Sequence, residues 1–476
     1  MPNFMSHSGE IVRISNQRID ELRPLLRGTI VLPDDPGYDE RRAIWNAMID
    51  RRPAAILECR GASDVQGAVR FARSEGIAFT VRGAGHNIAG KAVADGVLLI
   101  DTSTMTGIRV DPDTRTVRVE PGCTLGDLDR ETQAFGLAVP TGINSTTGIA
   151  GLTLGGGMGW LSRKHGLTID SLLEVDLVTA KGDRLRASAT ENPDLFWAVR
   201  GGGGNFGIVT SFLFQAHSHG PQVLSGLLVH PFADAPNVLR AWRDFNADVS
   251  DDVTAWAVMR KAPPLPFLPP EVHGTTVLIL AVHCTGDIAE GERALEALRA
   301  VGSPIADVVG PHDFSGWQQA FDPLLTPGSR NYWKSHNFAT LTDEVLDGLV
   351  ERAERIPDPQ CEVFLAHMGG AVSRHADDET PYVGRSAAYI MNVHGRWEDP
   401  ARDDAVIGWA RELFQAMEPH AMGTAYVNFM PDDEAGRVRG AYGVNYDRLA
   451  RIKAEWDPEN VFCYNQNVLP EVPAGA

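Results

Sequence analysis

Two stretches of the chain carry glycine at a density that neither helix nor strand interiors tolerate. They are Pro140 to Gly159, PTGINSTTGIAGLTLGGGMG, and Arg200 to Val209, RGGGGNFGIV. Glycine inside a regular element sacrifices backbone entropy and offers no side chain to pack. Such runs therefore predict main chain lying flat against a bulky, flat ligand. A shorter stretch, Arg82-Gly83-Ala84-Gly85-His86-Asn87, follows the apolar run Ile77 to Val81. Gly83 and Gly85 bracket Ala84 and allow positive φ, so successive backbone N–H groups can cradle an anion. Arg82 would add fixed charge for a phosphate, and His86 sits at the tip.

The setting of these glycines excludes the commoner nucleotide motifs. Neither run has G-x-G-x-x-G between a strand and a helix with an acid about 20 residues later. GGGMG is not followed by Gly-Lys-Ser/Thr, so it is no phosphate loop of the Walker kind. The net charge of -19 repels nucleic acid and anionic membranes as main partners. The five cysteines, Cys59, Cys123, Cys284, Cys361 and Cys463, are scattered without ligand spacing and read as reduced thiols, with no metal site. No leader-like or membrane-spanning stretch is legible, which predicts a cytoplasmic protein.

At 476 residues, two domains are expected. Gln17 to Leu26 reads as a lead-in helix and Ala55 to Cys59 as a strand. A helix capped by Ser63 and Asp64 runs to Gly76, and the strand Ile77 to Val81 follows it. Gly96 to Asp101 and Thr116 to Val119 read as strands, and Thr124 to Phe135 as a helix with Leu125, Leu128 and Phe135 inward. From about Gln222 the pattern becomes strands and helices: Val223 to His230, Pro236 to Asn246, Ala255 to Arg260, Thr275 to Val282 and Ala289 to Val301. After an irregular stretch from Pro304 to Lys334 come Asp343 to Arg355, Glu362 to Met368, Ala387 to His394 and Ala401 to Met417. Antiparallel strands backed by helices predict an α+β second domain. Tyr446, Leu449, Ile452, Lys453 and Trp456 fit one last helix, stopped by Asp457-Pro458.

Taken together, RGAGHN, the PTG…GGGMG and GGGGNFGIV runs, YVNF, and DPENVF…QNV resemble the berberine-bridge-enzyme-like branch of the vanillyl-alcohol-oxidase, PCMH-type flavoproteins. The resemblance covers the chain from about Arg51. It implies an α+β, two-domain fold: an FAD domain over residues 1–220, a substrate domain over 221–420, and a segment 421–476 returning to the FAD domain. It implies FAD held by Arg82, Gly83, Ala84, Gly85, His86 and Asn87. From the first glycine run it adds Pro140, Thr141, Gly142, Asn144, Thr147, Gly148, Gly151, Gly155, Gly157 and Gly159. From the second it adds Gly203, Asn205, Phe206, Gly207, Ile208 and Val209, and from the tail Asn428, Asn465 and Asn467. His86 would carry an 8α-histidyl bond, because a neutral imidazole nitrogen can attack the electrophilic 8-methyl carbon. Many relatives add a cysteinyl bond two residues after the PTG glycine. Here that position is Asn144, so a single tether is expected.

Hydride transfer from a C–H bond needs a base for the O–H or N–H proton. The resemblance points to Tyr442 in GAYGVNY as that base. Tyr426 and Asn428 would lie against flavin or substrate, with a structural strand end as the competing view. His367 is a candidate polar group facing substrate or, alternatively, a satisfied core histidine. Gly148-Ile149-Ala150-Gly151 occupies the family's oxygen-access position, and dioxygen is the expected acceptor. The activity implied is oxidation of a CH–OH group in a sugar-like or secondary-metabolite small molecule. Two alternatives stand beside it: a C–N oxidase of the hydroxynicotine-oxidase kind, and a flavin-bearing sequestering or resistance protein.

Overall fold

The computed structural model describes residues 2–471. After a lead-in helix α1 (Asn16–Leu22), four short strands form the first sheet. They are β1 (Thr29–Val31), β2 (Ala55–Glu58), β3 (Phe79–Arg82) and β4 (Leu98–Asp101), in the order β1-β2-β4-β3. β4 runs parallel to β2 and β3, because α2 (Ala62–Glu75) carries the chain back between β2 and β3. β3 delivers the His86 loop from its C-terminal end. The second sheet is antiparallel: β5 (Ile108–Asp111), β6 (Thr116–Val119), β7 (Leu172–Val178), β8 (Arg184–Ser188) and β9 (Ile208–Gln215), in the order β8-β7-β9-β6-β5. Leu125 and Leu128 of α3 (Leu125–Gln133) pack on its Val117, Val119 and Phe212.

The third sheet contains six long strands: β10 (Gln222–Pro231), β11 (Val253–Lys261), β12 (Thr276–Cys284), β13 (Arg330–Phe338), β14 (Glu362–His367) and β15 (Tyr389–Trp397). Their order is β10-β12-β11-β14-β15-β13, every pairing antiparallel. Side chains alternate across it, as strand geometry requires. One parity, including Ala255, Leu280, Leu365 and Met391, is covered by α4 (Ala235–Asp248), α5 (Ile288–Arg299), α6 (Asp343–Ala353) and α7 (Asp403–Met417). The other parity, including Trp256, Phe364 and Ile390, packs with Met158 and Trp160 of the first glycine run and with Tyr426. The fold is thus α+β, and this second face is where the two halves meet.

The tail returns to the first half. Leu449 and Ile452 of α8 (Tyr446–Trp456) join the core around Phe206 and Phe212. Buried Lys453 ties it down, bonding Asp457 at 2.6 Å and the carbonyls of Asn205 and Phe462 at 2.8 and 3.0 Å. Among the described residues no helix is long and apolar enough to cross a membrane, and no group of His, Cys, Asp or Glu is placed to hold a metal.

Three local expectations are corrected. α2 begins at Ala62 behind Gly61, not behind Ser63 and Asp64. Asp64 instead accepts from the backbone N–H groups of Arg27, Gly28 and Arg60, fastening a neighbouring turn. α3 ends at Gln133, so Phe135 leaves the helical register and is 48% exposed instead of inward. The stretch Pro304 to Lys334 is not wholly irregular, since β13 starts at Arg330 and runs nine residues. Its run of polar residues hides the alternation, because both faces of that edge strand bury polar groups such as Asn331, Lys334 and His336.

Candidate active site

Five of the predicted stretches converge on the seam between the halves. The His86 loop rests on the first glycine run, close enough that a Cβ on Gly148 would lie 2.8 Å from that of Ala84. The backbone N–H groups of Ala84, Gly85 and His86 donate to no protein acceptor among the described residues. They are a ready cradle for acceptor atoms of a ligand. Across the run, a Cβ at Gly159 would lie 1.9 Å from the Thr141 carbonyl, and one at Gly155 2.2 Å from Oδ1 of Asn428. Here glycine is required because two backbones, or a backbone and an amide, occupy the same space. Gly157 has φ of 78° and donates its N–H to Tyr426 Oη at 3.0 Å.

His86 is half-buried and its Nε2 lies 3.1 Å from Thr146 Oγ1. Its ring stacks on Trp45 at 5.1 Å between centroids and 21° between planes. Burial pushes the imidazole down to about 4, with the Thr146 backbone drawing it the other way, so it is neutral at physiological pH. A neutral ring with a lone pair is the nucleophile the expected tether needs. The residues fit a flat, oxygen- and nitrogen-rich ligand, because buried acceptors or donors on Tyr442, Asn465 and Asn467 have no partner among the described residues.

Partners within the chain engage several of the other residues. Arg82 is not free for a phosphate: it is buried in an ion pair with Asp101 and donates to the Arg41 carbonyl. Asn87 accepts from the Lys91 N–H and Thr147 from the Leu125 N–H, so both hold loop shape. Asn205 spends its amide on the carbonyls of Gly202 and Gln466 and the N–H of Val468. Phe206, Ile208 and Val209 point into the first-half cores, which leaves only their backbone toward the seam. Gly207 approaches the β7 backbone and Gly203 faces Tyr442 Oη. Pro140 accepts from Thr168 Oγ1, and Gly142 packs on Leu152; nothing stands over Gly151.

The two tyrosines separate clearly. Tyr426 Oη accepts from Gly157 N–H and from Asn428 Nδ2 at 2.9 Å, two donors that would stabilise a phenolate. Burial still raises it to about 12, against the pull of Asn428 and Gly157. Tyr442 Oη has no donor among the described residues, and burial lifts it well above its ordinary value. Two donors therefore meet Tyr426 Oη and none meets Tyr442 Oη among the described residues. YVNF itself is a tight turn (Val427–Phe429) and not a strand end. His367 shares the parity of Leu365 and Val363, so it lies on the opposite face of the sheet from Trp256 and Phe364. There it accepts from Arg163 at 3.0 Å, is held down to about 3 by burial and Arg163, and lines a separate cavity of about 490 Å³.

Sequence reasoning missed several residues of the seam. Trp45 lies in an unremarkable loop, and Thr146 is one threonine of a polar run. Asn392 is fully buried on the seam face of β15, and neither amide atom is paired among the described residues; one amide inside an apolar strand was its signal. Nearby, Glu362 pairs with Arg260 at 2.8 Å and with His394 at 3.3 Å. Burial opposes ionisation of Glu362, and Arg260, His394 and Arg396 together outweigh it, holding the carboxyl below its ordinary range.

Two family models match the chain, one described as FAD binding domain over residues 53–188 and one as berberine and berberine like over residues 425–469. An uncharacterized FAD-linked oxidoreductase, YgaK, of Bacillus subtilis is 32% identical over 94% of this chain and 97% of its own. (R)-6-hydroxynicotine oxidase of Paenarthrobacter nicotinovorans is 29% identical over 94% of this chain and 97% of its own. The crystal structure of 6-hydroxy-D-nicotine oxidase from Arthrobacter nicotinovorans superposes with a TM-score of 0.85 at 28% identity, covering 94% of this chain and 98% of that one.

Proposed function

The chain belongs to the berberine-bridge-enzyme-like family of FAD-linked oxidoreductases, and from that premise we propose that His86 alone tethers the FAD and that the enzyme oxidises a CH–OH carbon of a small molecule. Bound FAD supplies a hydride acceptor, N5, and is restored by dioxygen. The observation that carries the tether is the neutral His86 ring held at the edge of the glycine seam, with Asn144 at the position where relatives carry a second attachment. Tyr426 takes the O–H proton, since the Gly157 N–H and the Asn428 amide stand ready to stabilise its phenolate. Trp256, Phe364 and Phe429 present aromatic surface from the seam. Such surface favours the ring-bearing secondary metabolite within the sugar-like or secondary-metabolite class.

A second reading, oxidation at a C–N bond, is supported by the relatives named for 6-hydroxynicotine, a cyclic amine. Against it, Glu362 on the seam face is already neutralised by Arg260 and so offers no charge for an ammonium group. Acid precipitation of the purified protein tests the tether: a yellow pellet is expected, and His86→Ala should leave the colour in solution. A panel of alcohols and cyclic amines with peroxide readout tests the chemistry. Turnover of amines alone would overturn the CH–OH reading, and one reduction without repeated turnover would indicate a sequestering protein.

A further inference from the structure

The tether at His86 raises a question that the proposal above leaves open: which ring nitrogen attacks, and what selects it. Three hydrogen bonds answer it in sequence. The Thr146 backbone N–H donates to Asn144 Oδ1 at 3.1 Å, and a backbone N–H can only donate, so the atom it meets must be the amide oxygen. The Thr146 hydroxyl lies 2.8 Å from that same oxygen and must give it its one proton. The hydroxyl is then left with lone pairs, and His86 Nε2, 3.1 Å away, has to be the N–H donor. A neutral ring protonated at Nε2 carries its lone pair on Nδ1, which has no hydrogen-bond partner among the described residues. Trp45 holds the ring plane from one side, being fixed in turn by its Nε1 bond to the Leu325 carbonyl at 2.9 Å and by Arg396, 5.2 Å from its ring.

We propose that Asn144 and Thr146 form a positioning relay that fixes His86 as the Nε2–H tautomer and thereby directs attachment through Nδ1. The inference rests on the His86 tether proposed above. The position that relatives use for a second covalent bond thus serves here to aim the first. In the step itself, the Nδ1 lone pair forms the bond to the 8α carbon. That methyl carbon gives up one proton, and Nε2–H gives up the other as the ring returns to neutrality. The two electrons left on the isoalloxazine, with two protons, pass to dioxygen, so each attachment releases one hydrogen peroxide. Afterwards the Thr146 hydroxyl can turn and donate to the emptied Nε2. Asn144 and Thr146 touch no reacting atom; they act through His86.

The test uses full-length protein produced under riboflavin limitation, to which FAD is added in air. Total bound FAD is measured by filtration and attached FAD by acid precipitation over time, and the linked nitrogen of the parent is identified by nuclear magnetic resonance of the flavin-bearing peptide. The parent should attach through Nδ1 with one peroxide per chain. Thr146→Val should bind FAD to the same extent yet attach it at least tenfold more slowly, and Thr146→Ser should attach within about twofold of the parent. A parent that binds FAD but never attaches it overturns the tether, and this inference with it. Attachment through Nε2, or parent-like attachment in Thr146→Val, overturns the relay and leaves the tether standing. Should Thr146→Val fail to take up FAD, the linked nitrogen in the parent decides alone.

Discussion

Asp129 offers a sharp test of the structure that needs no substrate. It lies in α3, fully enclosed, and faces Gln318 from the other half of the chain. Gln318 Nε2 donates to Asp129 Oδ2 at 3.1 Å, while Asp129 Oδ1 and Gln318 Oε1 both lack a partner among the described residues. Burial raises the carboxyl from 3.8 to about 7, with Gln318 pulling weakly downward. The sign follows from proton linkage. Below pH 4 the group is neutral in both states and costs nothing. As pH rises from 4 to 7 the unfolded chain ionises while the folded one keeps its proton, so folded stability falls, and above 7 the loss is constant. The gap between 3.8 and about 7 corresponds to about 4 kcal/mol at pH 8. Asp129→Asn removes that ionisation. One new N–H meets Gln318 Oε1, and the other stays unpaired at a cost of about 1–3 kcal/mol. The variant should therefore be less stable than the parent at pH 4 and more stable at pH 8. The cost of the unpaired N–H cancels between the two conditions, which leaves a swing of about 4 kcal/mol. Urea unfolding followed by tryptophan fluorescence at both pH values measures it, with equal slopes required of parent and variant. A stability difference that does not change with pH would refute the reasoning, because the folded carboxyl would then titrate normally.

Two further perturbations address the seam. Gly157→Ala places a Cβ 2.1 Å from Thr168 Oγ1 at φ of 78°, forcing Thr168 off the Pro140 carbonyl it bonds at 2.7 Å. The left-handed backbone costs roughly 1–2 kcal/mol and the lost bond about 1 kcal/mol, so FAD content, read as the ratio of flavin to protein absorbance, should fall tenfold or more. Tyr426→Phe should slow anaerobic flavin reduction by an alcohol from the panel about 10²–10⁴-fold, and Tyr442→Phe should change it little. The reverse ranking would return the base to Tyr442.

Much of the local framework was legible because local physics sets it. β2 and β3 are short apolar runs, and α4 to α7 carry a clean helical stripe. The glycine runs could be nothing but backbone surfaces. β13 was not legible, since its burial of Asn331, Lys334 and His336 depends on partners supplied by other elements. Phe135 was misread for a related reason: a stripe extrapolated past Gln133 assumes that the helix continues. In the site, His86 and the glycines were found because their chemistry is unusual for their setting. The surroundings of Arg82 and His367 were not legible because charge and polarity in a sequence do not say which neighbour consumes them. Asp101 takes the first and Arg163 the second.

By itself, then, the sequence determined most of the elements, the family and the stretches able to lie against a flat cofactor, because periodicity and glycine content are properties of neighbours along the chain. Only the tertiary structure decided which tyrosine meets two donors, which face of β14 looks into the seam, and how Asn144 reaches His86 through one hydroxyl. Those outcomes turn on distances of about 3 Å between groups far apart in sequence, and only the packed sheets bring such groups together.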